Sequence, residues 1–195
     1  ARGCYVVENE AEKKKLVGVL FPKKGVLNRD LVGQSVEKIV SMAGLSVPAG
    51  TVLLVIPADP ADPASDLRRE KMFPVIALYP YKSFEDALAI AEANLAIEGK
   101  GHSVAIHSSS REHIEALGLR AKVSRVVVNA TSATTAGGSF ANGLGATSTL
   151  GCGSWGNNSI SENFTYKHLL NITRIAMPLP RVRIPSDEEL FGPAD

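Results

Sequence analysis

The sequence predicts an α/β protein, a three-layer αβα sandwich with a mostly parallel sheet. Two observations carry that expectation: strand-like and helix-like segments alternate from residue 51 to 129, and residues 52–56 are apolar throughout rather than at every second position. Alternation of this kind builds right-handed βαβ crossovers, whose helices cover both faces of a parallel sheet. A strand covered on both faces has no polar side to show. The length of 195 residues, with 45% hydrophobic and 21% charged side chains, suits one globular domain that folds without cross-links.

Each element has its own signal. Residues 2–7 read as a strand already in progress, and because the first residue is Ala1 rather than Met, the chain is expected to be a piece of a longer one. Asn9 and Glu12 have capping-box spacing, and Leu16, Val17, Leu20 and Phe21 follow on one helical face until Pro22 stops it. A second helix is expected at 35–43, with Val36, Ile39, Val40 and Ala43 inward and Gly44 as its cap. Residues 51–56 form the buried strand, and Pro57, Pro60 and Pro63 with Asp59, Asp62 and Asp66 make the loop after it. A strand at 74–81 leads to an Ala-rich helix at 83–98, which ends at Gly99 and buries Phe84, Leu88, Ala91 and Leu95. Strands at 103–107 and 125–129 flank a short helix at 110–117.

The alternation stops at Ala130. Residues 130–159 are packed with Gly, Ser, Thr and Asn and predict no regular element, and so long an irregular stretch in a compact domain usually serves function. A last strand is expected at 169–175. Beyond it Pro178, Pro180, Pro185 and Pro193 predict an extended surface tail.

Composition narrows the function. With 21 Lys+Arg against 20 Asp+Glu the net charge is +1, and no basic stripe marks a nucleic-acid partner. The longest apolar run falls far short of the roughly 20 residues that span a bilayer, so no membrane partner is expected. Cys4 and Cys152 fit neither a disulfide framework nor a zinc pattern, which suits a reducing cytosol. Cys4 in an apolar strand is read as inert packing, and Cys152 as structural because no His or acid is spaced to serve it. His102, His107, His113 and His168 lack metal-ligand spacing, so no metal is expected. His113, on a polar helix, should be solvated. His102 enters a strand after Gly99-Lys100-Gly101 and is a candidate for an acid or ligand-contact role, since strand ends face crevices in such folds. Gly137-Gly138 and Gly143-x-Gly145 do not open a helix after a strand, which excludes a phosphate cradle there. Glu70, in a charged turn, reads unaided as a surface carboxylate.

The run Thr149-Leu150-Gly151-Cys152-Gly153-Ser154-Trp155-Gly156-Asn157-Asn158-Ser159, continued by Ile160-Ser161-Glu162-Asn163 and Lys167-His168-Leu169-Leu170-Asn171-Ile172, closely resembles the signature near the carboxyl end of CoA-acylating aldehyde dehydrogenases. Leu27-Asn28, Val32-Gly33-Gln34-Ser35, Glu70-Lys71, Pro74-Val75, Phe84-Glu85-Asp86-Ala87 and Gly101-His102-Ser103 resemble that family in order and spacing. Residues 131–144 look more like its sulfoacetaldehyde or succinate-semialdehyde group than its propionaldehyde group.

The resemblance implies oxidation of a small aldehyde by NAD or NADP through a cysteine thioester, with coenzyme A as co-substrate taking the acyl group. It implies that residues 1–165 are an incomplete catalytic domain and 166–195 an oligomerisation strand with a Pro-rich tail. The strand at 169–175 would join a second copy into a homo-oligomer. The nucleophilic cysteine would lie upstream of Ala1, so no catalytic nucleophile is expected in this chain and neither thiol fills that role. Glu70 matches the glutamate that hydrogen-bonds the nicotinamide ribose, and Met72 stands where most of the wider superfamily has a ring bordering the nicotinamide. Thr147, Ser148, Thr149 and Leu150 match the wall of the aldehyde pocket, and His102 matches a histidine typical of the acylating branch. The implied location is the cytoplasm, free or within a bacterial microcompartment. An inert α/β assembly module and a hydrolytic relative stay open as alternatives.

Overall fold

The computed structural model describes residues 3–192, which form two compact units divided between Thr165 and Tyr166. In the first unit the order is β1 (Cys4–Val6), α1 (Glu10–Leu20), α2 (Val36–Ala43), β2 (Leu53–Pro57), β3 (Val75–Leu78), α3 (Phe84–Ile97), β4 (Gly101–Ile106), α4 (Arg111–Arg120), β5 (Val123–Val128) and the single turn α5 (Ser132–Thr135). The expected α/β class holds, and every strand pairing is parallel. The strands lie in two ladders, β1-β2-β3 and β4-β5. Register is set by Leu54 opposite Tyr5 and Val75 in the first, and by Ser103 opposite Arg125 in the second.

The helices start and stop where side chains satisfy their end groups. Asn9 accepts from the amides of Ala11 and Glu12, and Ser35 from that of Lys38. Gly44 closes α2 in the left-handed conformation, which a side chain would strain. Ser83 and Asp86 form a reciprocal capping box on α3.

Two apolar clusters follow from the two ladders. Val7, Leu16, Leu20, Leu31, Ile39, Leu54 and Ile56 are fully buried between α1, α2 and the three-stranded ladder. Leu88, Leu117, Ala121 and Val123 form the smaller cluster beneath α3 and α4. Of the four residues expected inward on α3, only Leu88 is fully buried. A two-stranded ladder is too narrow to cover the whole helix face, so Phe84, Ala91 and Leu95 keep part of their surface. Arg120 braces this half, donating to Glu92 from Nε at 3.0 Å and Nη2 at 2.9 Å, and to Glu85 from Nη1 at 2.6 Å.

A buried arginine anchors the proline-rich loop. Arg68 donates to the carbonyls of Asp62 and Pro60 and to Asn94 Oδ1 of α3, at 2.8, 2.6 and 2.7 Å, with its guanidinium over the Tyr79 ring.

Two expectations need correction. Cys4 is exposed rather than packed inside, because β1 alternates exposed, intermediate, exposed. The tail is not wholly extended, since α6 (Asp187–Phe191) starts at a capping box of Ser186 and Glu189. The segment 169–175 pairs with no strand among the described residues: the second unit begins with a 3-10 turn, Tyr166–Leu169. A strand requires a neighbouring edge to bond with, and without one Ile172 is 63% and Ile175 86% exposed.

Candidate active site

The irregular segment after β5 is organised from its centre. Residues 149–153 run antiparallel to 160–164: Gly151 N donates to Glu162 O at 3.0 Å, Gly153 N to Ile160 O at 2.8 Å and Phe164 N to Thr149 O at 3.0 Å. Between them lies a 3-10 turn, Ser154–Gly156. The strands of this small loop approach so closely that a Cβ on Gly151 would stand 2.3 Å from Ile160 O. A Cβ on Gly101, whose φ is +83°, would stand 2.1 Å from Cys152 O, so glycine is required where β4 meets the loop.

Arg125 holds loop and ladder together. Its side chain is buried and donates from Nη2 to the carbonyls of Gly151 at 2.8 Å, His102 at 3.1 Å and Gly101 at 3.4 Å, and from Nη1 to Asn163 Oδ1 at 3.3 Å. Asn163, also buried, donates onward to the carbonyls of Gly145 at 2.7 Å and Ala136 at 3.0 Å. These two side chains therefore gather four backbone segments, and no carboxylate among the described residues shares the guanidinium. Neither Arg125 nor Asn163 stood out in the sequence, because their partners, backbone carbonyls and each other, lie 18 to 38 residues away.

Residues 147–150, expected to wall the aldehyde pocket, line none of the larger cavities described. Thr147 is partly buried, and its amide donates to Gly137 O at 2.8 Å. Its hydroxyl accepts from Thr149 N at 3.0 Å and donates to Thr149 O at 3.2 Å, folding the wall into a tight turn. Ser148 and Thr149 are exposed and Leu150 is partly buried. Gly137 and Gly138 serve close packing here, since Cβ atoms on them would stand 2.8 Å from Thr147 O and 2.6 Å from Gly145 O.

His102 and Cys152 come together. Cys152 is 6% exposed, and its Sγ lies 3.5 Å from Nδ1 of the exposed His102. The sequence hid this pair because 50 residues separate its members. Cys4, by contrast, lies exposed on β1 with no base beside it among the described residues. His113 is not simply solvated: its ring stacks on Phe84 at 3.9 Å between centroids. Phe84 and His113 border a cavity of about 470 Å³ between α3, α4 and the carboxyl end of β4, which His107 also lines and which His102 and Cys152 do not. His168 lies in the 3-10 turn of the second unit. No group of three His, Cys, Asp or Glu side chains among the described residues could hold a metal, and no helix among them is long and apolar enough to cross a membrane.

Glu70 occupies a braced loop. Its amide donates to Glu98 Oε2 at 2.7 Å while Arg69 Nη1 donates to Glu98 Oε1 at 2.6 Å, and Asp66 accepts from Gly25 N at 2.9 Å. The backbone is pinned, and the exposed carboxylate of Glu70 has no hydrogen-bond partner among the described residues. Met72 beside it is 57% exposed, and its carbonyl accepts from Gly33 N. No hydrogen bond or ion pair among the described residues joins Glu70 or Met72 to the 147–150 wall. Lys71 turns inward, with Nζ donating to the carbonyls of Leu67 at 2.6 Å and Arg69 at 2.9 Å. Burial pushes its ammonium down to about 8, against the opposing pull of Glu98.

The sequence and the fold are shared with known proteins. No family model matches the chain. The chain is 46% identical over 190 residues to the acetylating succinate-semialdehyde dehydrogenase of Clostridium kluyveri, covering 97% of this chain and 42% of that one. Its fold matches a probable aldehyde dehydrogenase from Listeria monocytogenes with a TM-score of 0.84 and 32% identity, over 92% of this chain and 39% of that one. An acetylating aldehyde dehydrogenase from Geobacillus thermoglucosidasius matches with a TM-score of 0.79 and 35% identity, over 94% and 40%. The chain is homologous to a portion of the acylating aldehyde dehydrogenases, and it spans about two fifths of the length of these relatives.

Two outcomes follow. Arg125→Met removes the donor to three carbonyls, those of Gly101, His102 and Gly151, and to the Asn163 side chain, and should lower the unfolding free energy by about 3 kcal/mol in denaturant titrations, with Arg125→Lys intermediate. Lys71 binds its proton less tightly folded than unfolded, so the unfolded chain holds more protons between the folded value near 8 and the ordinary value of 10.5. Stability should therefore rise with pH across that window, and denaturant midpoints of Lys71→Met should lack this increment.

Proposed function

We propose that this chain is the carboxyl-terminal catalytic portion of an NAD(P)-dependent, CoA-acylating aldehyde dehydrogenase, with the nucleophilic cysteine and the dinucleotide-binding domain supplied by polypeptide outside residues 1–195. The observation that carries the reading is the 46% identity to an acetylating dehydrogenase, sustained over 97% of the chain. The site chemistry agrees. Cys152 is buried, 6% exposed, which restricts the approach of an aldehyde carbonyl to its sulfur. Cys4 has no base among the described residues to activate it.

The residues present fit a dinucleotide's ribose. Glu70 offers an unshared carboxylate on a fixed backbone, able to accept from two hydroxyls, and Met72 adds an exposed apolar surface beside it. When bound, the dinucleotide supplies the hydride acceptor. In this reading Thr147, Ser148, Thr149 and Leu150 wall the aldehyde pocket, whose geometry is set by the Thr147 hydroxyl, and His102 contacts the acyl-transfer partner. Aldehydes carrying an anionic group, succinate semialdehyde and sulfoacetaldehyde, are the favoured substrates, because three relatives at 35 to 46% identity bear those names. A cytoplasmic location is part of the same proposal.

The test is reduced dinucleotide formation by the longer parent polypeptide with succinate semialdehyde, sulfoacetaldehyde and propionaldehyde. Turnover is expected to yield acyl-CoA and to depend on coenzyme A; equal rates and a free acid product without it would overturn the acylating reading. Glu70→Gln should raise the KM for dinucleotide about tenfold and leave that for aldehyde unchanged.

The exposed apolar residues of the second unit support a role in subunit association, with a second copy providing the strand edge that 169–175 lacks. Deleting residues 166–195 from the parent should convert an oligomer into monomers in sedimentation velocity; an unchanged sedimentation coefficient would refute it.

A further inference from the structure

The contacts of Cys152 fix where its proton lies. Its Sγ is 3.7 Å from Leu150 O and 3.5 Å from His102 Nδ1. A thiol carries one hydrogen. The Leu150 carbonyl can only accept, so the S–H satisfies it, and the contact with the imidazole is made only if Nδ1 carries a hydrogen and donates to sulfur. From this we infer that Cys152 is a positioning residue, which holds His102 in the Nδ1–H tautomer and leaves Nε2 as a bare acceptor. A free neutral imidazole favours the opposite tautomer, so the thiol imposes a state that the ring would not adopt alone.

The surroundings keep the pair in place. Arg125 holds the carbonyls of both His102 and Gly151, the residue before the thiol, at 3.1 and 2.8 Å. Cys152 N and Gly153 N both donate to Asn158 Oδ1, at 3.2 and 3.0 Å. Gly101 and Gly156 leave no room beside the sulfur-bearing carbon. The thiol is buried and its partner exposed, so the orienting contact lies inward and ligands meet His102 from the solvent side.

The consequence for chemistry rests on the proposed acylating reading. A co-substrate that arrives with an S–H donor, as coenzyme A does, meets a nitrogen able to accept its hydrogen rather than a competing N–H. Cys152 thereby acts on the acyl-transfer half of the reaction without touching either substrate.

The test reads the ring nitrogens directly. Long-range proton–nitrogen spectra of the chain labelled with 15N-histidine are recorded at alkaline pH, where imidazoles are neutral, with the His102 signals assigned by their loss in His102→Gln. The hydrogen is expected on Nδ1 in the unaltered chain and in Cys152→Ser, whose hydroxyl can make both contacts, and on Nε2 in Cys152→Ala. A hydrogen on Nε2 in the unaltered chain overturns the inference, whatever the variants do. So does Nδ1–H persisting in Cys152→Ala. In the parent polypeptide, Cys152→Ala should lower kcat at saturating coenzyme A about tenfold, with the KM for aldehyde unchanged and activity restored in Cys152→Ser. A tautomer change with no effect on the CoA-dependent rate would uphold the positioning role and refute the acylating reading of His102.

Discussion

The site depends on one buried guanidinium. Arg125 enters from β5, where a parallel ladder fixes its backbone, and its donors reach the start of β4, the glycine loop and Asn163. An irregular segment cannot satisfy its own carbonyls as a helix or ladder does, so burying it requires an outside donor. Arginine suits that task because its several N–H groups point in fixed directions from one plane. Asn163 extends the reach to Gly145 and Ala136. The segment 147–150 is thus suspended between two polar side chains and a set of close glycine contacts, with little apolar packing of its own.

Much of the scaffold could be read from residue patterns. Helix starts at Asn9, Ser35 and Ser83 and the stop at Gly44 are local events, decided by groups within one turn, and they stand where the pattern put them. The apolar run of β2 announced a strand covered on both faces, and Leu54 and Ile56 on one face and Val55 on the other are buried. What escaped detection is what depends on partners distant in the chain. The burial of the α3 face depends on how wide a ladder lies under it, which no helical periodicity encodes. The segment 169–175 has the composition of a strand, but an edge to pair with is not a property of the segment itself.

The same distinction governs the site. Glu70 and the 147–150 wall were picked out through likeness to a family, and the structure adds what likeness could not: the carboxylate is left unshared because Glu98 and Asp66 absorb the neighbouring donors. The His102 and Cys152 contact was invisible because spacing rules look for nearby partners, whereas here a β-strand and a loop 50 residues apart deliver them. Arg125 was invisible for a simpler reason, since in sequence it is one more charged residue at the start of an apolar strand.

Both arginines that clamp loops, Arg68 and Arg125, are bound by carbonyls and amides, with no acidic side chain in the clamp among the described residues. A carbonyl carries no net charge, so neither clamp is an ion pair that dissolved salt can screen. The scaffold around residues 147–150 is therefore held by neutral acceptors, and its cohesion is largely indifferent to ionic strength.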